Sequence, residues 1–316
     1  MTFSQYVTVH VDLDHVRAAA ERVKRAVAGA DVIAVLKADA YGLGAARVAD
    51  AIAPVVDGFY VFELAEATAI DLRRYGKPIL SLLDETDDPT PYRDAGVRPV
   101  VWTTRRAAAL RGARPVLSVD TGQQRFACAR EDVDAILSAG AIEEAMTHAS
   151  NAQQAVLFDQ LTAGRGLRRH AAGTALLDDP AARFDAVRPG LALYRDAVRV
   201  STRLVDARDS NGPAGYGGFV TRRHGVILAG YAHGLSVGPC LVNGQPRRIL
   251  EVGMQTAFVE LEASDRAGDE GELLGDALPL ETVATAWQVP AQAAMLRLCG
   301  LGRHSGPSPG TPGEAR

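Results

Sequence analysis

Little in this chain suggests covalent staples, bound metals or a membrane. Only three of its 316 residues are cysteines (Cys128, Cys240 and Cys299), and none share CxxC spacing. That leaves no material for a disulfide framework or a metal site, and favours a reduced, cytoplasmic protein. No uninterrupted apolar stretch approaches ~20 residues, so no membrane-spanning helix is expected. The opening MTFSQYVTVHVDLDH lacks the basic start and apolar run of a signal peptide. A basic excess is missing too: the formal charge is −4, without long runs of one sign. Phosphate backbones call for a basic face, so nucleic acid is not the expected partner. What is present, 47% apolar and 23% charged residues, is the profile of a globular protein. The length allows one large domain or two ordinary ones.

The first two thirds alternate short apolar runs with amphipathic segments. The runs cover residues 32–40 (VIAVLKADA), 58–62, 78–83, 97–102, 115–120, 143–148, 168–173 and 186–194 (AVRPGLALY). Between them lie stretches of helical spacing, such as residues 64–75 and 130–137. Eight strand candidates alternating with helices predict a (β/α)8 TIM-type barrel over residues 10–195, with an open doubly wound sheet as the rival. The runs at 143–148 and 168–173 carry charge and are weak strands in isolation. From about residue 196 glycine and short alternating runs take over, which predicts a smaller, mainly-β domain over 196–305. The strand within residues 1–9 is expected to pack with it. VNGQ reads as a hairpin turn, residues 280–288 as a helix, and the Gly/Pro-rich 306–316 as a disordered tail.

Lys37 stands out because it follows side chains that belong in a core. Burying an ammonium is costly unless it is paired or neutralised, and such a site lowers the amine's pKa. That favours imine formation with an aldehyde cofactor. The plain alternative is a strand-end lysine whose head reaches solvent. Lys37, Tyr41, Asp120, His148, Gly173 and Arg188 all fall at or near the C-terminal ends of the apolar runs. In a barrel those ends form one rim, where active sites are built.

AVLKADAYGLG (34–44) is similar to the cofactor-lysine motif of the alanine racemase family, whose usual form has His in place of Leu43. RPGLALY (188–194), GYGGF (215–219), GYAHG (230–234) and LVNGQ (241–245) follow in the family's order and at about its spacing. The resemblance implies pyridoxal 5'-phosphate attached at Lys37, with its phosphate held by Tyr41, Thr174 and the backbone of Gly190 and Leu191. It assigns Arg188 to the pyridine nitrogen, a contact that tunes the ring's electronics. Racemisation needs acid/base groups on both faces of the α-carbon; the resemblance implies Lys37 for one and Tyr216, from a neighbouring subunit, for the other. His148 is expected near this network and linked to Arg188. Arg125 and the Met254 backbone N–H are implied for the substrate carboxylate, and Tyr231 for the partner's side of the pocket. The implied working unit is a homodimer acting on a small-molecule amino acid.

Several positions depart from the family pattern. His233 stands where Asp is usual, Gln255-Thr256 replaces Asp-Gln, and Ser118 occupies the place of an often carbamylated lysine. Gln153 replaces an acidic residue and Gly173 an Asn, and LGRHSG (301–306) lacks the C-terminal pocket tyrosine. These changes fall on substrate handling rather than on cofactor binding, so an altered substrate specificity is expected. Two alternatives remain open at this stage: a pyridoxal-phosphate decarboxylase, lyase or aldolase on the same fold, and a non-catalytic pyridoxal-phosphate-binding protein.

Overall fold

The computed structural model describes residues 3–305; the tail expected over 306–316 lies outside the described residues. The chain divides into two compact units. One comprises residues 16–40 and 44–193, the other residues up to His15, residues 41–43 and residues from Tyr194 onward.

The first unit is a closed parallel barrel of eight strands: β2 (Asp31–Val35), β3 (Gly58–Val61), β4 (Ile79–Ser81), β5 (Val97–Val101), β6 (Val116–Ser118), β7 (Glu144–Ala149), β8 (Arg168–Ala172) and β9 (Ala186–Val187). Helices follow the strands, among them Ala45–Ile52 after β2, Val133–Gly140 after β6 and Ala152–Thr162 after β7. Every residue of β3, β4 and β6 is buried, as expected of strands packed on both faces. The helix Leu13–Ala26 turns Val16, Ala19, Ala20 and Val23 inward, the i, i+3, i+4, i+7 stripe of an amphipathic helix. Closure between β2 and β9 rules out the open doubly wound sheet.

Most of the eight runs are shorter as strands, the first and the last by the most residues. The first ends at Val35, and its KADAY portion becomes a turn. The last keeps only Ala186 and Val187 as strand. Pro189 has no N–H to donate, though its carbonyl still accepts from Val35 N at 3.0 Å.

The second unit holds a nine-stranded sheet. β1 (Ser4–Val11) pairs antiparallel with β10 (Val198–Arg203) and parallel with β17 (Gly302–Ser305). The remaining strands are β11 (Asp206–Asp209), β12 (Arg223–Ile227), β13 (Gly238–Val242), β14 (Gln245–Val252), β15 (Ala257–Glu260) and β16 (Glu270–Leu274). Their order is β11-β12-β15-β14-β13-β16-β10-β1-β17. The VNGQ turn joins β13 to β14 with Val242 opposite Gln245. Asn243 (φ 47°) and Gly244 (φ 74°) supply the two positive φ angles that a tight hairpin requires. Besides the expected helix, here Leu280–Trp287, a second one (Ala291–Gly300) buries Ala294, Met295, Leu298 and Cys299.

Gly302 marks the tightest backbone approach in this unit, because a Cβ there would lie 2.1 Å from the Val7 carbonyl oxygen. Gly302→Ala is therefore expected to lower stability by about 1–3 kcal/mol, read from the denaturant midpoint. Gly300→Ala, whose Cβ would meet nothing within 4 Å, serves as the control and should stay within about 0.5 kcal/mol of the parent.

Candidate active site

Lys37 leaves the barrel wall just past β2, and the chain then does something its composition conceals. Residues 38–41 all have positive φ (55°, 54°, 53° and 61°), a left-handed turn with no glycine in it. Each such residue costs about 1–2 kcal/mol relative to right-handed backbone. Local bonds hold the turn. Ala40 N donates to Leu36 O at 2.7 Å, and the Asp39 carboxylate accepts from Ala45 N at 2.6 Å. The two Glu66 oxygens accept from Ala38 N at 2.8 Å and Phe62 N at 2.7 Å. Glu66 escaped the sequence reading; it clamps the residue after Lys37 to the end of the next strand. Burial lowers the pKa of the Lys37 amine, the Arg125 and Arg188 charges lower it further, and Glu66 opposes them.

Arg188 follows β9 directly and is buried, 5% exposed. A guanidinium has only donors, and this one finds acceptors in the His170 carbonyl at 2.9 Å, the His170 ring nitrogen Nδ1 and the Thr147 carbonyl. The histidine bonded to Arg188 is thus His170, not His148 as the resemblance implies. Strand order explains the correction. β8 is the immediate neighbour of β9 and sets His170 opposite Ala186, two residues before Arg188. His148 lies one strand further away, near the end of β7. It opens an edge to solvent, yet partial burial and the charges of Arg188, Lys37 and Arg125 push it down to about 4. It is neutral at physiological pH.

Arg125 sits in the exposed loop after β6, its guanidinium 5.3 Å from the centre of the Phe126 ring. Asp120 shapes that loop by accepting from Gly122 N at 2.7 Å and Gln124 N at 3.1 Å. Phe126 in turn touches Trp102 (ring centres 5.4 Å apart) and Phe62 (6.5 Å), an aromatic shelf not anticipated from the sequence. Past β8, the Thr174 hydroxyl accepts from the N–H groups of Gly190 (3.3 Å) and Ala192 (3.2 Å). Leu191 opens the single helical turn Leu191–Tyr194 between those two donors. The barrel unit thus gathers Lys37, His148, Arg125 and Arg188 in one electrostatic environment, with the Thr174 hydroxyl and the N–H groups that bond it after the last two strands.

Tyr41, Tyr216, Tyr231 and Met254 belong to the other unit. Tyr41 packs against Tyr194 with ring centres 5.4 Å apart, and burial raises the pKa of its phenol. The remaining three converge on Gly253. Tyr231 N donates to its carbonyl at 3.0 Å, and the Tyr216 ring would lie 3.4 Å from a Cβ built there. The Met254 carbonyl, next in sequence, accepts from Ala232 N at 3.0 Å. Tyr216 is 88% exposed, with Met254 and Tyr231 also exposed. The backbone N–H groups of Tyr216 and Gly217 donate to Glu251 at 2.7 and 2.6 Å. A Cβ at Gly215 or Gly217 would strike that carboxylate, so the glycines flanking Tyr216 make room for its anchor. His233 is buried, and its Nδ1 accepts from Gly230 N at 3.1 Å. It performs the capping that an Asp at this position could perform.

A family model for the N-terminal domain of alanine racemases matches residues 11–198. The chain is 34% identical to an alanine racemase of Xanthomonas campestris over 350 residues, covering 93% of this chain and 95% of that protein. It is 29% identical to the biosynthetic alanine racemase of Salmonella typhimurium, covering 93% and 97%. Among solved structures, the alanine racemase of D-cycloserine-producing Streptomyces lavendulae superposes with a TM-score of 0.86 at 24% identity, covering 97% of this chain and 99% of that one. That of Bartonella henselae, with covalently bound pyridoxal phosphate, gives 0.84 at 22% identity over 96% and 100%. These two share the fold, and the sequence matches go further: this chain belongs to the alanine racemase family.

Proposed function

We propose that the chain is a pyridoxal-phosphate-dependent amino-acid racemase in which Lys37 and Tyr216 act as the two bases. The observation that carries this reading is the Lys37 amine, its pKa lowered by burial and two guanidinium groups at the barrel mouth. Its relatives' activity supports alanine as the first substrate to test, and the substitutions at Ser118 and Gln255 support a shifted preference.

The residues present suit the cofactor. A depressed primary amine suits an aldehyde, and the buried Arg188 suits a ring nitrogen with a free lone pair. The Thr174 hydroxyl and the Gly190 and Leu191 N–H groups suit a phosphate dianion, and the family motif supports Tyr41 as a further partner. When bound, pyridoxal phosphate supplies the aldehyde for covalent attachment and a conjugated ring that spreads the charge left at the α-carbon. Everything else falls to the chain. Lys37 takes or returns the α-proton on one face through its Nζ, and Tyr216 does so on the other through its phenolic oxygen. Arg125 pairs with the substrate carboxylate, alongside the Met254 N–H, while Tyr231 borders the pocket. His148, neutral and near Arg188, can accept a hydrogen bond without adding positive charge. Arg188 stays cationic and so disfavours a proton on the ring nitrogen opposite it.

Tyr216, Tyr231 and Met254 form an exposed patch on the non-barrel unit. In the proposed homodimer each chain's patch serves the other chain's barrel, so that both bases meet only in the assembly. The three cysteines are buried, which agrees with a cytoplasmic location. Among the described residues no helix is long and apolar enough to cross a membrane.

Incubated with single L- and D-amino acids in deuterated water, the protein should place deuterium at the α-carbon with inversion. Carbon dioxide or side-chain fragments would instead favour a decarboxylase or lyase. Lys37→Ala should reduce exchange by about 10³-fold or more, and borohydride should fix the cofactor on the Lys37 peptide of the parent alone. Mixing equal amounts of Lys37→Ala and Tyr216→Phe chains should restore about a quarter of parental activity, since half the random dimers then hold one intact site of two. Absence of rescue counts against shared sites.

A further inference from the structure

The acceptor side of Arg188 does not end at His170. The other ring nitrogen, Nε2, lies 3.0 Å from the carboxylate of Glu144, which is 3% exposed within the barrel. Glu144 is held in turn by Arg98 from β5 and by Arg168 from β8, the latter at 2.6 Å. Arg168 also reaches Asp31 of β2 at 2.6 Å, and Arg98 donates to the Arg114 carbonyl at 3.0 Å. A continuous relay, Arg188–His170–Glu144–Arg98/Arg168–Asp31, therefore crosses the barrel interior from the end that carries Lys37 to the end where the strands begin.

Each link constrains the next. Arg188 can only donate, so the His170 Nδ1 facing it must carry a lone pair. An ionised Glu144 can only accept, so Nε2 must carry the hydrogen. Burial by itself would raise the Glu144 pKa, but the bond from His170 and the charges of Arg98 and Arg168 outweigh it and keep the carboxyl well below the usual carboxylate range. Burial, with the Arg188 charge, pushes His170 down to about 4 despite Glu144. From pH 8 to pH 5 both ends of the relay thus demand the same neutral tautomer. Tyr60, whose ring lies 5.8 Å beneath the Arg188 guanidinium, has its phenol pushed up to about 12 and stays uncharged over the same range.

We propose that Glu144 is a positioning residue: its buried carboxylate fixes His170 as the Nε2–H tautomer, and through that ring it aims the Arg188 guanidinium into the barrel mouth. What Arg188 is aimed at, the ring nitrogen of pyridoxal phosphate, rests on the functional reading above; the tautomer does not. With Glu144 removed, Nε2–H has no acceptor. Because Arg188 still requires a lone pair at Nδ1, the ring then keeps a buried Nε2–H with no acceptor, or turns and breaks its bond to Arg188.

The test is nitrogen-15 NMR of the purified protein labelled at its seven histidines, with His170 assigned by its loss in His170→Gln. Parent protein should show a neutral Nε2–H ring at position 170 from pH 8 to pH 5. Glu144→Gln, which keeps an acceptor, should retain it. Glu144→Leu should move the Nε2 resonance away from its hydrogen-bonded position or turn the ring from Arg188, and should release pyridoxal phosphate about tenfold more readily, as expected when a buried donor loses its partner. An Nδ1–H ring in the parent overturns the proposal, whether or not Glu144→Leu folds. So does a Glu144→Leu protein whose Nε2 resonance and cofactor retention are parental. An Nε2 resonance that shifts as described in a protein that takes up no pyridoxal phosphate supports the relay and removes the racemase reading instead.

Discussion

A cation that cannot be deprotonated is buried at the mouth of the barrel, and much of the surrounding sequence is arranged to receive it. Arg188 is shut off from water and is itself under pressure to lose charge, its pKa lowered chiefly by burial. A guanidinium in that position needs acceptors for its donors. Two backbone carbonyls and one imidazole supply three of them, each delivered by strand register rather than by a flexible loop. Because a lone pair must face Arg188, the next group along must accept a hydrogen, and charge has to alternate down the barrel axis. A barrel interior normally filled by branched apolar side chains here includes Glu144, Arg168 and His170.

A second constraint is geometric. Lys37 must leave the wall of the barrel while the chain turns sharply towards the helix Ala45–Ile52, and the left-handed turn over residues 38–41 accomplishes this. Four non-glycine residues in that conformation store strain that an isolated peptide would release. Glu66, bonded to Ala38 N, and Asp39, bonded to Ala45 N, supply the compensation. Strained backbone beside a reactive group is a familiar arrangement at functional sites, where surrounding bonds fix a conformation that the local sequence disfavours.

These two constraints also explain what could be read from the sequence. Strands such as GFYV and the amphipathic helix Leu13–Ala26 were legible because their residues meet the environments that periodicity describes. The VNGQ hairpin was legible because Asn-Gly is the local solution to two positive φ angles. The runs holding Glu144 and Arg168 looked weak as strands for a reason now visible: their charges are satisfied by one another inside the barrel, which no one-dimensional hydrophobic pattern records. KADAY gave no hint of left-handed backbone, since its compensation comes from Glu66, 28 residues beyond Ala38. The second C-terminal helix carries its own signal, with Pro290 ahead of it and an apolar stripe inside. Lys37 and Arg188 were singled out by position and family motif, whereas choosing His170 over His148 required knowing which strand neighbours β9.

Electrostatics at the barrel mouth adds a final step. Lys37, Arg125 and Arg188 lie within range of one another, and each positive charge makes the others costlier, as the lowered pKa values of Lys37 and His148 record. Glu66 offsets this in part while both its oxygens serve the backbone. A mouth so biased is held open to anions, and it suits a phosphate dianion and an amino-acid carboxylate arriving together. Were His148 and His170 to protonate as well, two more positive charges would crowd the same space. Keeping both imidazoles neutral is what lets the site hold its cations close enough to Lys37 to keep that amine reactive.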